Sequence, residues 1–342
     1  MKPKQANIPA QRGFDKELTE LVALSEALKS GTVPDAAQID HLRKSLAHRN
    51  NFLVSKAAKL VADAELFQLL SNSLAAYDRF FLDPTKTDPQ CWAKIALAKT
   101  LVKLEHRQKD AFLRGLRHHQ MEATWGGVTD TAGALRGACA HALVDCTGIS
   151  DAELLNILLE PLVDSDKTVR IEAARAIGRV GGVSAALILR LRALLGLGIQ
   201  EQDEPEALGA VYSALLAVEG ERAIALVASV LKEGDDLAAE AAFALAEMRT
   251  PEALAALQAR LQADSESRFG TVLLSAIALT RLPAAFDFLL ALIERDAREA
   301  PLVIEAIGGS APTAELRARV EQAVRETGSP RLQQAFAQHL PN

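Results

Sequence analysis

A two-residue pattern, a small residue followed by an aliphatic one, recurs along the chain at the intervals of a helical repeat. The clearest copy is Ala176-Ile177, inside the stretch 164–182. Seven further positions match it, some only approximately: Leu60-Val61, Thr100-Leu101, Ala142-Leu143, Ala214-Leu215, Ala244-Leu245, Ala276-Ile277 and Ala306-Ile307. Successive copies lie about 30 to 42 residues apart, as in helix-turn-helix repeats. The spacing predicts eight two-helix units, more regular in the C-terminal half than in the N-terminal half.

Residues 164–182 carry the signals of one complete helix of such a unit. Five apolar side chains fall on one side of a helix with 3.6 residues per turn: Val169, Ala173, Ala176, Ile177 and Val180. Asp166 precedes this run, where its carboxylate can accept hydrogen bonds from the first-turn N–H groups. Gly181 and Gly182 follow the run and can adopt the left-handed conformation that ends helices. Small residues within the run would let a neighbouring helix approach closely.

A partner helix is predicted just upstream, over residues 151–163. Its apolar stripe consists of leucines: Leu154, Leu155, Leu158, Leu159 and Leu162. Pro161 removes one helical hydrogen bond, so the last turn should bend. The order of helix, Asp-rich turn and Ala-rich helix resembles a HEAT repeat. The residues that carry this resemblance are Pro161, Asp164, Asp166, Val169, Arg170, Ala173, Ala174, Ala176, Ile177 and Gly178.

The resemblance implies an all-α fold, a right-handed α-α superhelix (solenoid) of about eight HEAT-like helix pairs with a concave inner face. It also implies a hydrogen-bonded ladder between repeats, to which Asp164 and Arg170 would belong. At the position equivalent to Arg170, the other units have Arg136, Leu208, Ala238 and Gly270. The assignment therefore depends on periodicity more than on the ladder, and armadillo-like and phycobilin-lyase-like arrays stay open as alternatives.

Composition agrees with packed helices, because aromatic residues make up only 4% of the chain and Ala and Leu dominate. No run of β-branched residues bounded by turns suggests strands. The predicted organisation is a flexible tail over 1–13 and one repeat domain over 14–342. Within that domain we expect irregular repeats over 14–150, regular ones over 151–310 and capping helices over 311–342.

Several absences suggest a soluble, cytoplasmic protein without a cofactor. Cys91, Cys139 and Cys146 form no CxxC pair, which favours a reducing compartment. Arg190 and Arg192 interrupt the most apolar stretch, so no membrane span is expected. The first residues lack the apolar segment of a signal peptide. The histidines show no metal-ligand spacing, so no metal site is predicted.

Two features suggest a binding surface. The chain carries a net charge of −6, yet basic residues are concentrated between 86 and 119. Five of them are candidate ligands for phosphate groups: Lys99, Lys103, Arg107, Arg114 and Arg117. A solvent-exposed helix face explains the same residues without a ligand. Trp125 lies in the connection 119–131, one of three that are longer than a repeat turn needs; the others are 82–90 and 196–204.

No nucleotide-binding, nucleophile-elbow or catalytic-triad motif occurs in a suitable context. The leading hypothesis is a non-enzymatic scaffold that binds another protein of unknown identity. Nucleic-acid or phosphate-ligand binding through the basic residues is the alternative. A third reading, an enzyme of the HEAT-like DNA glycosylase or lyase type, would need a carboxylate or histidine beside Trp92 or Trp125.

Overall fold

The chain is mostly helical in the computed structural model, which confirms the helical fold class. The structure describes residues 9–198, 203–263 and 268–341. Over these residues it forms twenty α-helices and one two-stranded antiparallel ribbon. The chain divides into two compact units, Met1–Ala176 and Ile177–Asn342, which are described separately. None of the described helices combines the length and the apolar character required to cross a membrane.

The first unit contains nine complete helices and both strands in its described part. In chain order these are α1 (Pro9–Lys29), α2 (Ala36–Leu46), α3 (Asn51–Asp63), α4 (Leu70–Arg79), α5 (Pro84–Thr87), α6 (Trp92–Lys103), α7 (Lys109–Leu116), β1 (Met121–Thr124), β2 (Gly127–Asp130), α8 (Gly133–Leu143) and α9 (Asp151–Leu158). Of the predicted tail over 1–13, residues 1–8 lie outside the described residues and residues 9–13 belong to α1. The next helix, α10 (Lys167–Val180), contains the boundary between the units.

Helix ends in this unit follow the local sequence signals. Asp35 caps α2, since its carboxylate accepts from the Gln38 N–H at 2.8 Å and its own N–H donates to the Gln38 side chain at 2.9 Å. The Asp166 carboxylate accepts from the Thr168 N–H at 2.8 Å, as expected for the start of α10. Pro161 opens a 3₁₀ turn directly after α9, which accounts for the predicted bend.

The repeat pattern marks the helices that form the core of the first unit. The pairs at 60–61, 100–101 and 142–143 are buried in α3, α6 and α8. These helices pack in series, α3 on α6 and α6 on α8, while α2, α4 and α7 pack beside them.

The second unit repeats this arrangement with more regular elements. Its helices are α11 (Gly182–Gly198), α12 (Pro205–Glu219), α13 (Glu221–Val230), α14 (Asp236–Met248), α15 (Pro251–Ala263), α16 (Arg268–Leu279), α17 (Pro283–Glu294), α18 (Ala300–Gly309), α19 (Ala314–Thr327) and α20 (Pro330–His339). α12, α14, α16, α18 and α20 pack in series, while α13 packs on α15 and α17 packs on α19. The pairs from 214–215 to 306–307 are buried in α12, α14, α16 and α18. Two helices, α19 and α20, lie in the segment 311–342.

The long connections differ from simple loops. Residues 119–131 form the β1–β2 ribbon, which the sequence did not predict because each strand has only four residues and no β-branched run. Residues 82–90 contain the short helix α5. Most of the third connection, 196–204, falls in or beside the undescribed residues 199–202.

Candidate functional site

The β1–β2 ribbon exposes an apolar face to solvent. Residues directly opposite each other in the ladder point to the same side, so Ala123 and Val128 share one face with Met121 and, at the base of the ribbon, with Asp130. Met121, Ala123 and Val128 are all exposed. The opposite face is polar, and its Thr124 and Thr129 hydroxyls are 3.1 Å apart. An antiparallel ribbon with one apolar and one polar face usually packs the apolar face against another protein surface.

Trp125 lies at the tip of this ribbon and is completely exposed, with a relative accessibility of 106%. It occupies the turn with Gly126, whose φ of +102° is open to glycine but strained for other residues. Within the described residues, the outer edges of β1 and β2 make no backbone hydrogen bonds to other elements. The tip therefore presents a large aromatic side chain between two free strand edges.

The base of the ribbon is held by hydrogen bonds that begin at the buried Gln120. The Gln120 side chain is 1% exposed and donates to the Asp88 carbonyl oxygen at 2.8 Å and to the Glu122 carboxylate at 2.5 Å. The Glu122 carboxylate also accepts from the Thr131 hydroxyl and from the Gln90 N–H, both at 2.7 Å. Burial opposes the ionisation of Glu122, but these hydrogen bonds outweigh it and lower its pKa.

A charged ladder continues from the ribbon into the helices. Arg136, on α8, is 1% exposed and its guanidinium binds the Asp164 carboxylate through two hydrogen bonds of 2.9 Å. Its third nitrogen donates to the Asp130 carboxylate at 2.6 Å. Arg170 donates to the backbone oxygen of Asp164, whose carboxylate binds Arg136. Asp130 ends β2, so the ladder connects the ribbon to α8 and to the turn that precedes α10.

The carboxylates of this ladder are held in the ionised form. The pKa of Asp164 lies below its ordinary value, because hydrogen bonds from Arg136 and from the Asp166 N–H outweigh the opposing effect of burial. The pKa of Asp130 is lowered further, since it accepts from the Gln120 and Ala132 N–H groups as well as from Arg136, again against burial.

A second buried ion pair lies next to the base of the ribbon, because the carbonyl oxygen of Asp88 accepts from Gln120. Asp88 and Lys94 are both 0% exposed, with the Lys94 Nζ 3.1 Å from the Asp88 carboxylate. The same carboxylate accepts from the Ala93 and Lys94 N–H groups at 2.9 Å and so caps the start of α6. Gln90 and Cys91, between them, have φ of 61° and 55°. Two consecutive left-handed residues other than glycine are costly, and such strain is common at functional sites.

A cavity of about 290 Å³ lies beside the ladder. Its lining includes the basic residues Arg117 and Arg136, the acidic residues Glu160 and Asp164, and His119. The His119 Nδ1 is 2.9 Å from the Asp130 carboxylate. The buried Arg136 is already bound to two carboxylates. The cavity is therefore lined by charges of both signs.

The basic candidates do not form one continuous cationic surface. Arg114 is paired with the Asp78 carboxylate, and Arg107 donates to the Asp145 backbone oxygen at 3.1 Å. Lys99, Lys103 and Arg117 are exposed and have no ion pair among the described residues. Thus three of the five candidates keep an unbalanced charge, while the other two are engaged with neighbouring groups.

The cysteine thiols are protonated at neutral pH, and Trp92 packs against a neighbouring ring. Burial raises the pKa of the Cys91 and Cys146 thiols to about 11 and that of Cys139 to about 12, so thiolate is scarce at neutral pH. Trp92 is half-exposed and packs edge-to-face on Phe52, with ring centroids 5.8 Å apart. Over the described part of the chain, no three His, Cys, Asp or Glu side chains are placed to hold a metal ion.

The sequence identified Trp125 and Asp164 as candidates. It did not predict that Arg136 links Asp164 to Asp130 of the ribbon that carries Trp125. Gln120, Glu122 and Asp130 carry no motif, and their roles follow only from the ribbon register. Arg136 was recognisable, because it occupies the position in its unit that Arg170 occupies in the central one. No protein-family model matches the chain, and a search of curated proteins gives no similar sequence.

Proposed function

We propose that the protein is a non-enzymatic interaction scaffold and that the β1–β2 ribbon is the element that binds a partner protein. The observation that carries this proposal is the completely exposed Trp125 on a ribbon whose base is held by the hydrogen bonds of Gln120, Glu122 and Asp130. Trp is strongly enriched among the residues that dominate binding energy at protein interfaces.

Rigidity of the base supports this role. An exposed side chain on a mobile loop loses conformational freedom when it binds, and that loss reduces affinity. Here Gln120, Glu122 and Asp130 hold both strands at the base of the ribbon through hydrogen bonds of 2.5 to 3.0 Å. The partner chemistry that fits is an apolar pocket deep enough for an indole, flanked by surface that covers Met121 and Val128.

We further propose that the helices around the ribbon form a HEAT-like solenoid, a right-handed superhelix of about eight pairs. Support comes from the burial of all eight repeat pairs and from the serial packing of the helices that carry them. In solenoids each repeat packs mainly on its neighbours, which leaves long surfaces open to ligands. An experimentally determined structure of the full chain tests this arrangement directly.

The test of the binding proposal compares Trp125→Ala with Phe67→Ala, a control that removes a half-exposed aromatic side chain elsewhere in the first unit. Immobilised wild-type protein and both variants are incubated with extract of the native cells, and retained proteins are quantified. We expect the wild type and Phe67→Ala to retain the same partner, and Trp125→Ala to bind it at least about 30-fold more weakly, as for a loss of about 2 kcal/mol.

Fluorescence provides a second readout with the partner so found. Trp92 and Trp125 are the two tryptophans, so the Trp92→Phe variant emits from Trp125 alone. Binding should shift this emission to shorter wavelength as the indole leaves water. Equal retention by Trp125→Ala and the wild type, or an unchanged emission on binding, would contradict the proposal.

Phosphate or nucleic-acid binding is the second candidate, favoured by the exposed charges of Lys99, Lys103 and Arg117. Three phosphate contacts would make the affinity for duplex DNA fall about 40-fold between 50 and 200 mM salt. The triple variant with all three changed to Gln should abolish this binding. Absence of measurable affinity for the wild type at 50 mM salt would exclude the candidate.

A further inference from the structure

Helices α3 and α6 expose matching residues to solvent. The two helices pack on each other, and corresponding residues lie 40 positions apart in the chain, as the repeat pairs of these helices do. Lys59 of α3 thus corresponds to Lys99 of α6, and both are exposed. Phe52 corresponds to Trp92, and these two rings make an edge-to-face contact. Because this contact joins corresponding residues, the exposed sides of α3 and α6 form one surface.

The middle of this surface is basic, and its N-terminal end is aromatic. Trp92 is 45% exposed, and the Lys56 Nζ is 5.2 Å from the centroid of the Phe52 ring. Steps of three, four or seven residues place the lysines on the same side of their helices as these rings. Four exposed lysines lie here, none of them in an ion pair with another described residue: Lys56, Lys59, Lys99 and Lys103.

Acidic residues lie at the C-terminal end of this surface. Asp63 corresponds to Lys103, and Glu65 and Glu105 follow in the turns after α3 and α6. The charge of Lys103 is therefore offset at this end, whereas the other three lysines lie at least one helical turn further from it. The neighbouring helix α8 has no acidic residue at the positions that correspond to the rings and to the middle of the surface: Ala134, Ala138 and His141.

Helix α1 borders α3 on the other side. Its Glu17 and Glu20 carboxylates are directed at α2, where they lie 3.7 and 3.5 Å from the rings of His48 and His41. The other acidic residues in the described part of α1 are equalled in number by its lysines: Asp15 and Glu26 against Lys16 and Lys29. The positive charge in the middle of the surface is therefore not cancelled from this side.

Lysines beside half-exposed rings are the features with which many proteins hold single-stranded nucleic acid. The lysines contact phosphate groups, and the bases stack on the aromatic side chains. A duplex keeps the faces of its bases stacked on one another, so it could not cover Trp92 in this way. An acidic protein segment would engage the lysines alone. A single strand is therefore the partner that uses both features of the surface.

We infer that the exposed sides of α3 and α6 bind single-stranded nucleic acid. Trp92 stacks on a base, and the lysines that contact phosphates are Lys56, Lys59 and Lys99. The inference rests on the second candidate function above, which it narrows to single strands, and it is independent of the ribbon. Nonspecific binding of this kind has dissociation constants of about 1 to 100 μM. Three phosphate contacts make the affinity for a single strand fall about 20-fold between 50 and 200 mM salt.

Fluorescence anisotropy of the full chain with labelled oligo(dT) and oligo(U) of about 20 nucleotides tests the inference, and the tighter of the two identifies the sugar. At 50 mM salt, Trp92→Ala should bind at least about 5-fold more weakly than the wild type, as for the loss of one stacked base. The double variant Lys59→Gln/Lys99→Gln should reduce the slope of log K against log salt from about −2 to about −0.7. The control Lys44→Gln/Lys232→Gln removes two exposed lysines elsewhere and should behave as the wild type.

Tryptophan emission separates stacking from attraction between charges. In the Trp125→Phe variant Trp92 is the only tryptophan, and its emission should be quenched when oligo(dT) binds. Binding of Trp92→Ala at wild-type strength, unquenched emission, or equal affinity for polyglutamate of the same charge would each overturn the inference. If a duplex of the same length binds as tightly as the single strand, the phosphate-binding candidate stands and the single-strand inference fails. If neither binds at 50 mM salt, both fail.

Discussion

Arg136 combines near-complete burial with two carboxylate partners, so its removal should have a large effect. In Arg136→Met, Asp130 and Asp164 lose the cation that balances them, and a broken buried ion pair typically costs about 3–5 kcal/mol. We expect the urea midpoint of the first unit to fall accordingly. Arg117→Met is the control, because that exposed arginine has no ion pair within the described residues and should change stability by no more than about 0.5 kcal/mol. Similar midpoints for the two variants would argue against the ladder.

The same ladder predicts how stability depends on pH. Asp130 and Asp164 have pKa values below the ordinary value of about 3.9 expected in the unfolded chain. As the pH falls, these two carboxyl groups are protonated in the unfolded chain before they are protonated in the folded protein. The stability that they contribute is therefore complete above about pH 5 and is lost as the pH falls towards the folded pKa values. Asp164→Asn should be less stable than the wild type at pH 7, with a shallower decline between pH 5 and 3. Denaturant titrations at each pH measure both, and parallel curves would contradict this assignment.

At the scale of single elements, adjacent glycines of α18 allow a matched comparison. A Cβ at Gly308 would lie 2.5 Å from the backbone oxygen of His339 on α20, whereas one at Gly309 would meet nothing within 4 Å. Because the obstructing atom belongs to the backbone, Gly308→Ala should force the helices apart and cost about 1–3 kcal/mol. Gly309→Ala should be neutral or stabilise by up to about 1 kcal/mol through helix propensity. Thermal unfolding followed by circular dichroism distinguishes the two, and equal shifts would be inconsistent with close α18–α20 packing.

The elements also show what the sequence could and could not predict. Helices such as α10 were predictable because a 3.6-residue apolar stripe and flanking capping residues mark them in the sequence. The ribbon was not, because its stability comes from side chains that lie outside its strands or at their ends, such as Gln120 and Asp130. The sequence singled out Asp164, but its two hydrogen bonds with Arg136 could not be predicted, because they depend on how the helices pack in three dimensions.

At the scale of the whole chain, packing within the second unit is local in sequence: the main contacts join helices that are adjacent or next but one. In such a series, stability is close to a sum of individual repeats and their interfaces, so a disturbance should decay with distance. Gly308→Ala should therefore accelerate amide hydrogen exchange in α18 and α20, while α12 and α14 keep wild-type rates. Hydrogen exchange with peptide-level mass spectrometry measures both regions in one experiment, and Gly309→Ala serves as the control. Uniform acceleration from α12 to α20 would instead indicate one cooperative domain, because only a shared core transmits the loss of a terminal contact to every helix.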